Sequence, residues 1–151
     1  DNFIGNKVKL KKEILPAITE WMTKRKNPFY LNTEASINLA DDEDLMLQMA
    51  KAGFEAVFIG IESTNKKSLI ECQKPQNANR DLIESVKKIQ QFGLEVQGGF
   101  IVGFDNDHPE IFEEITKLFT FCPATFMISI CKSLPLLITF SMLILSAAGF
   151  G

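Results

Sequence analysis

The sequence predicts an α/β protein whose strands run parallel. One unit occurs twice in the chain: an amphipathic helix ends at a glycine, an apolar strand follows, and acidic or hydroxyl side chains come after the strand. The strands of the two units cover residues 54–61 and 94–102. In parallel β/α folds the ends of successive strands meet at one rim, where these folds carry their sites. We therefore expect Glu62, Ser63 and Asp105 at such a rim.

The first half of the chain fits this order of elements. Residues 7–25 have the apolar spacing of a helix, and Pro16 inside it predicts a kink because proline cannot donate a backbone hydrogen bond. Residues 29–37 form a predicted strand. Asp41 is the expected N-cap of a helix over residues 42–52, which ends at Gly53 before the 54–61 strand.

The second half continues in the same way. A short helix is expected near residues 66–72, followed by a polar loop over residues 73–77. Asn79 is the expected cap of a helix over residues 80–92, and Asp107 has the position of a cap for the helix after the third strand. Three strands are too few to close a barrel. They predict either a slice of a larger barrel or a small open sheet.

Composition narrows the function classes. The chain has 151 residues, of which 46% are hydrophobic, so it has the size and apolar content of one domain with a core. The net charge is −3 and no basic stripe interleaved with aromatic residues occurs, which argues against a nucleic-acid partner. Neither a dinucleotide-binding nor a phosphate-binding glycine motif is present.

The cysteines and the histidine exclude other chemistries. Cys72, Cys122 and Cys131 are widely spaced and form no C-x-x-C pair, and His108 is the one histidine. A self-contained metal site and a disulfide framework are therefore not expected, and reduced thiols in a cytoplasmic protein fit best. A hydrolase triad is also not expected, because His108 lies in a predicted helix start and so leaves Ser36, Ser63 and Cys72 without a histidine base.

Carboxylates follow all three predicted strands. Glu34 ends the first strand, as Glu62 and Asp105 follow the other two. Together they could receive an ammonium group, a ribose diol or a proton. The alternative is that each acid caps a helix or pairs with a lysine. Likewise, the glycines at 98, 99 and 103 either let a flat ligand approach the third strand or mark a bulge or tight packing.

The composition changes abruptly near Leu118. Lys132 is the one charged residue beyond that point, and Ser133 to Gly151 has none. We therefore separate residues 1–118 from an apolar segment, residues 119–151. This segment has three interpretations: strands or a helix of the α/β unit, a membrane segment over residues 133–151, or non-native sequence after a frame shift.

Four motifs carry a resemblance to a known family. They are Asp1-Asn2-Phe3-Ile4-Gly5-Asn6, Thr33-Glu34-Ala35-Ser36-Ile37-Asn38-Leu39-Ala40, Phe58-Ile59-Gly60-Ile61-Glu62-Ser63 and Gly98-Gly99-Phe100-Ile101-Val102-Gly103-Phe104-Asp105. In this order, over about residues 1 to 118, the chain resembles the radical S-adenosylmethionine barrel of cobalamin-binding radical enzymes. The branch that includes the hopanoid methylases is the most similar one.

The resemblance implies a partial, TIM-like (β/α)6 barrel that binds S-adenosylmethionine on a 4Fe-4S cluster. Cobalamin, in a preceding domain, often delivers a methyl group to an unreactive carbon of a small-molecule substrate. It also implies that the S-adenosylmethionine pocket includes the ends of four strands. The residues that match these strand ends are Asp1, Glu34 with Ser36, Glu62 with Ser63, and Phe100, Val102 and Gly103 beside the adenine.

The family's C-x-x-x-C-x-x-C loop precedes the position of Asp1, and none of the three cysteines here has its spacing. We therefore expect the chain to be a fragment that contributes part of the pocket and is inactive alone, because the cluster needs those thiolates. Two alternatives stay open. One is a small non-enzymatic α/β protein anchored to a membrane through residues 133–151, and the other is a product without a stable fold.

Overall fold

The computed structural model describes residues 2–121, 125–130 and 142–146, and it has the predicted α/β class. Its helices and strands follow one another in chain order as α1 (Lys7–Lys9), α2 (Leu15–Lys24), β1 (Leu31–Ala35), α3 (Glu43–Lys51), β2 (Phe54–Glu62), α4 (Lys66–Glu71), α5 (Pro75–Ala78), α6 (Leu82–Gln91), β3 (Glu95–Val102), α7 (Ile111–Phe121), β4 (Thr125–Ile130) and β5 (Met142–Ser146). All three predicted strands are present. The chain divides into two compact units, described separately below.

The first unit comprises Asp1–Ile59 and Glu84–Val96. In it β1 pairs in parallel with β2, from Leu31 opposite Phe54 to Ala35 opposite Ile59, and the predicted parallel pairing is thereby confirmed. Its core is apolar and almost fully buried. The members that contribute most volume are Leu10, Leu15, Ile37, Leu39, Leu45, Met46, Met49 and Ile59.

The helix predicted over residues 7–25 contains a wide turn instead of a simple kink. Between α1 and α2, residues Leu10–Ile14 form a π-helical turn, and the Leu15 amide donates to the Leu10 carbonyl. Pro16 occupies the first turn of α2, where its missing N–H is least costly. The π turn thus ends where the proline would interrupt a regular helix.

The start of α3 corrects one predicted cap. Residues Ile37–Asp41 form a 3-10 turn, so the helix begins one residue later than expected and Asp42, not Asp41, is its N-cap. The Asp42 carboxylate accepts from the Leu45 amide at 3.1 Å and from the Lys11 ammonium at 3.2 Å. Burial by itself raises the pKa of this carboxyl, but these hydrogen bonds outweigh it and hold the pKa below its ordinary value.

We expect Asp42→Ala to lower the free energy of unfolding by roughly 1–2 kcal/mol at pH 7, because the substitution removes the cap and leaves the Leu45 amide unpaired. Since the folded pKa is depressed, the contribution of the charge is complete above about pH 4 and is lost as the pH falls through the folded pKa. Asp42→Asn keeps a capping oxygen and should lose only the contribution of the charge, and with it this pH dependence. Urea unfolding at pH 7 checks both variants. An Asp42→Ala variant as stable as the unmodified chain would contradict the observed cap.

The second unit comprises Gly60–Ile83 and Gln97–Gly151. In it β3 pairs in parallel with β4, from Gln97 opposite Thr125 to Val102 opposite Ile130, and β4 pairs antiparallel with β5. Helix α6, which connects the units in sequence, begins at Leu82, two residues after the expected start at residue 80.

Part of the apolar segment 119–151 is therefore strand: β4 and β5 lie in it. Residues 131–141 and 147–151, with most of the predicted membrane segment, lie outside the described residues, as does Cys122. Within the described part of the chain, no helix combines the length and the apolar character needed to cross a bilayer.

Candidate functional site

The end of β2, in the second unit, has an unusual backbone. Glu62 is the last residue of the strand and has a φ of +71°, and the Ser63 amide donates to the Ile61 carbonyl at 3.0 Å. These two features define a γ-turn with positive φ at its middle residue, which is rare and strained for a residue with a side chain. Strain of this kind clusters at ligand-binding and active sites.

The Glu62 side chain folds back over Gly60. A Cβ atom at position 60 would overlap the Glu62 carboxylate, so glycine leaves the space that this carboxylate occupies. The Lys74 ammonium lies 3.5 Å from Glu62 Oε1, and the two side chains are 37% and 19% exposed. The site therefore presents a half-buried carboxylate beside a more exposed cation. Such a carboxylate can accept hydrogen bonds from an ammonium or from hydroxyl groups.

Ser63 is fully buried and takes part in the turn that follows. Its hydroxyl oxygen accepts from the Asn65 amide at 3.1 Å. The Asn65 side chain in turn accepts from the Lys67 amide at 2.9 Å and so caps α4, which is the predicted short helix. The hydroxyl of Ser63 thus fixes the path of the chain from β2 into α4.

Asp107 organises the end of β3. Its carboxylate accepts from the amides of Gly103 at 2.9 Å and Phe104 at 3.0 Å, and from the Ser68 hydroxyl at 2.7 Å. Asp107 was expected to cap the following helix, but α7 begins only at Ile111, and the carboxylate binds the preceding turn instead. Asp105, the acid singled out from the sequence, is exposed.

The turns after β2 and β3 are joined by further hydrogen bonds within the second unit. The Asn65 side-chain amide donates to the Asn106 carbonyl at 2.6 Å, and the Asn106 side chain donates to the Glu71 carboxylate at 3.0 Å. The Thr64 hydroxyl donates to the Glu114 carboxylate at 2.6 Å. The two strand ends therefore share one polar network, which makes this rim of the unit a defined surface.

We expect Asp107→Ala to lower the free energy of unfolding by about 2–3 kcal/mol, since three donors lose a charged acceptor. The matched control is Asp105→Ala, which removes an exposed carboxylate two residues away and should change stability by less than about 0.5 kcal/mol. Urea denaturation of both variants measures the difference. Similar losses for the two variants would show that Asp107 does not hold this turn.

The predicted adenine-flanking residues lie on β3 and at its end. Phe100 and Val102 are buried, whereas Gly99 and Ile101, on either side of Phe100, are half-buried, as expected for alternate faces of a strand. Gly103 follows with a φ of +110°. Phe100 and Val102 therefore belong to the core side of the strand, and the more open side carries a glycine and an isoleucine.

Two predicted residues belong to the first unit. Glu34 is exposed on β1, opposite Phe58. The Ser36 amide donates to the Asn2 side-chain oxygen at 3.2 Å, and the Ser36 hydroxyl accepts from the Asn2 side-chain amide at 3.0 Å. Ser36 thus ties the start of the described chain to the end of β1. Asp1 lies outside the described residues.

Metal-ligating side chains do not gather in the described part of the chain: no group of three histidines, cysteines or carboxylates there could hold an ion. Cys72 is half-buried, and burial, together with the nearby Glu62 carboxylate, raises the pKa of its thiol. A raised pKa keeps the thiol protonated, which disfavours metal binding.

The sequence did not single out two residues of this site, Lys74 and Asn77. Both lie in the segment predicted only as a polar loop, which overlaps the short helix α5. The Asn77 side chain is 3% exposed and donates to the main chain of β2. A single sequence does not indicate which main-chain groups a polar side chain from such a loop contacts in the folded chain.

Comparison with known proteins adds two relatives. No family model matches the chain. Over 107 residues, 71% of this chain, it is 46% identical to an uncharacterized methyltransferase of Synechocystis sp.. Over 110 residues, 73% of this chain, it is 36% identical to the hopanoid C-2 methylase of Rhodopseudomonas palustris. The chain is related to methylases. It spans about a fifth of the length of these two curated relatives, 20% and 21% respectively.

Proposed function

We propose that this chain forms part of the S-adenosylmethionine pocket of a radical S-adenosylmethionine methylase of the cobalamin-binding branch. Its parallel strands would then belong to a partial (β/α)6 barrel, and the whole protein would methylate an unreactive carbon of a small molecule. Two observations support the family: the relatedness to two methylases, and the four motifs in the family's order.

The single observation that carries the proposal is the Glu62 turn. S-adenosylmethionine offers an α-ammonium group and a ribose diol, and each can donate hydrogen bonds to a carboxylate. Glu62 provides a carboxylate that is only 19% exposed, so a hydrogen bond to a cation there is less screened than on an open surface. The strained backbone at Glu62 supports a functional role for this carboxylate. A strand can end in a conformation that costs less free energy, and strained residues cluster at functional sites.

The described residues would have different roles in ligand binding. Glu62 would accept from the ligand, Ser63 and Asn65 would keep the turn in place, and the open side of β3 at Gly99 would let the adenine approach the main chain. S-adenosylmethionine itself supplies the transferable methyl group and the reactive carbon–sulfur bonds of this chemistry.

The described residues do not fit the 4Fe-4S cluster of the family. Such clusters are held by three or four cysteine thiolates, and Cys72 is the one cysteine in the described part of the chain. A raised thiol pKa makes Cys72 a poor ligand as well. We therefore assign neither the cluster nor cobalamin to these residues and limit the proposal to the ligand pocket.

Equilibrium dialysis of the full chain with radiolabelled S-adenosylmethionine tests the proposal. We expect saturable binding that Glu62→Gln weakens at least about tenfold, because a charge-assisted hydrogen bond is lost. The control is Glu55→Gln, which removes an exposed carboxylate from the other end of β2 and should bind like the unmodified chain. Absence of saturable binding, or equal binding by both variants, would overturn the proposal.

A further inference from the structure

Asn77 is a buried asparagine whose side chain is directed at the main chain of β2. It is 3% exposed and lies in α5. Its side-chain amide, Nδ2, is 3.2 Å from the Gly60 carbonyl oxygen and 3.2 Å from the Ile61 carbonyl oxygen. One NH2 group thus donates to two successive carbonyls.

These two carbonyls belong to the peptide groups that lead into Glu62. The Ile61 carbonyl also accepts from the Ser63 amide, the hydrogen bond that closes the γ-turn. A strained residue costs of order 1–3 kcal/mol and persists only where its surroundings over-determine its conformation. Asn77 provides that constraint, because it fixes the orientation of the peptide groups on the strand side of the turn.

The segment from Lys74 to Asn77 acts on Glu62 in two ways. Lys74 pairs with the carboxylate at 3.5 Å, and Asn77 holds the backbone that carries it. The backbone amide of Asn77 also donates to the Lys74 carbonyl at 3.0 Å, which joins the two residues in one turn. Neither residue needs to touch a ligand to determine where the Glu62 carboxylate points.

We propose that Asn77 is a positioning residue for the S-adenosylmethionine site: it holds the Glu62 turn in its strained conformation and thereby orients the carboxylate. The role in ligand binding rests on the proposed function. The effect on the turn itself does not, so the two parts can be tested separately.

The first test measures the turn without any ligand. Asn77→Asp keeps the shape of the side chain but replaces the donor by an oxygen that repels the two carbonyls. We expect amide hydrogen exchange at Ser63 to accelerate at least about tenfold, while the Leu69 amide in α4, which is bonded to the Asn65 carbonyl, keeps its rate. Asn79→Asp, an exposed neighbour, should change neither rate. An unchanged Ser63 rate, or equal acceleration at both amides, would overturn the inference.

The second test is a double-substitution cycle on ligand affinity. If Asn77 acts through Glu62, Asn77→Asp weakens S-adenosylmethionine binding about tenfold in the unmodified chain and has little further effect in Glu62→Gln. A purely structural role would give the same fold-loss in both backgrounds and would exclude positioning. Asn77→Ala replaces Asn77→Asp if the latter fails to fold. If the unmodified chain binds no S-adenosylmethionine, the proposed function fails, and the Ser63 exchange rate still decides whether Asn77 holds the turn.

Discussion

Gly60→Ala is expected to weaken S-adenosylmethionine binding at least about tenfold while leaving the fold intact. The new Cβ would overlap the Glu62 carboxylate, which must then rotate away from its present position and from Lys74. The displaced group is the far end of a flexible side chain, so the rotation costs little. The partly exposed pair with Lys74 contributes less than about 1 kcal/mol to stability. The substitution is therefore expected to lower ligand affinity and not stability, because the Glu62 carboxylate is still present but points in another direction.

Gly5→Ala is the control for this substitution, because a Cβ at position 5 meets open space. Thermal unfolding and equilibrium dialysis on both variants separate stability from binding. We expect both variants to unfold at nearly the same temperature as the unmodified chain and only Gly60→Ala to lose affinity. Normal binding by a folded Gly60→Ala variant would show that the position of the Glu62 carboxylate does not matter.

Phe100→Ala is expected to have the largest effect on stability, about 3–5 kcal/mol of unfolding free energy. The ring is 1% exposed, so truncation removes a large buried side chain and leaves a cavity in the second unit. The resemblance placed Phe100 beside the adenine. The buried ring packs among its neighbours, and its contact with the adenine stays a prediction.

Ile101→Ala provides the comparison for Phe100, since Ile101 is the next residue on the strand and is half-buried. Its loss in urea unfolding should be clearly smaller than that of Phe100→Ala. If the two losses are equal, or if Phe100→Ala weakens ligand binding without destabilising the chain, the assignment of the two strand faces is wrong.

The sequence was sufficient for the order of the elements from the first helix to α7, apart from the short helix α5, because the signals of these elements are local. The α3 and α6 helices each lead to a glycine with positive φ, Gly53 and Gly93, and then to a strand, as the repeated unit predicted. Apolar periodicity and the position of a glycine determine local structure over about ten residues, so both can be recognised in a single sequence.

The details of capping could not be read in the same way. The sequence placed the caps at Asp41 and Asp107, but the 3-10 turn before α3 moves the first cap to Asp42, and Asp107 binds back to Gly103. Several acidic residues lie near each helix start. Which of them caps the helix depends on backbone turns that local propensity does not determine.

The sequence singled out Glu62 and Ser63 because they come at the end of an apolar strand. It did not single out Lys74 and Asn77, which contact Glu62 and β2 from a predicted polar loop. Contacts between side chain and main chain across such a distance depend on tertiary structure. Only the three-dimensional structure reveals that the buried Asn77 side chain donates to the carbonyls next to the strained turn.

The most direct measurement is an NMR titration of the full, isotope-labelled chain with S-adenosylmethionine. We predict saturable shift changes at the amides of Gly60, Ile61, Glu62 and Ser63, and the loss of these changes in Glu62→Gln. A titration without saturable changes at these four amides, or one whose changes persist in Glu62→Gln, would contradict the assignment of the Glu62 turn as a ligand site.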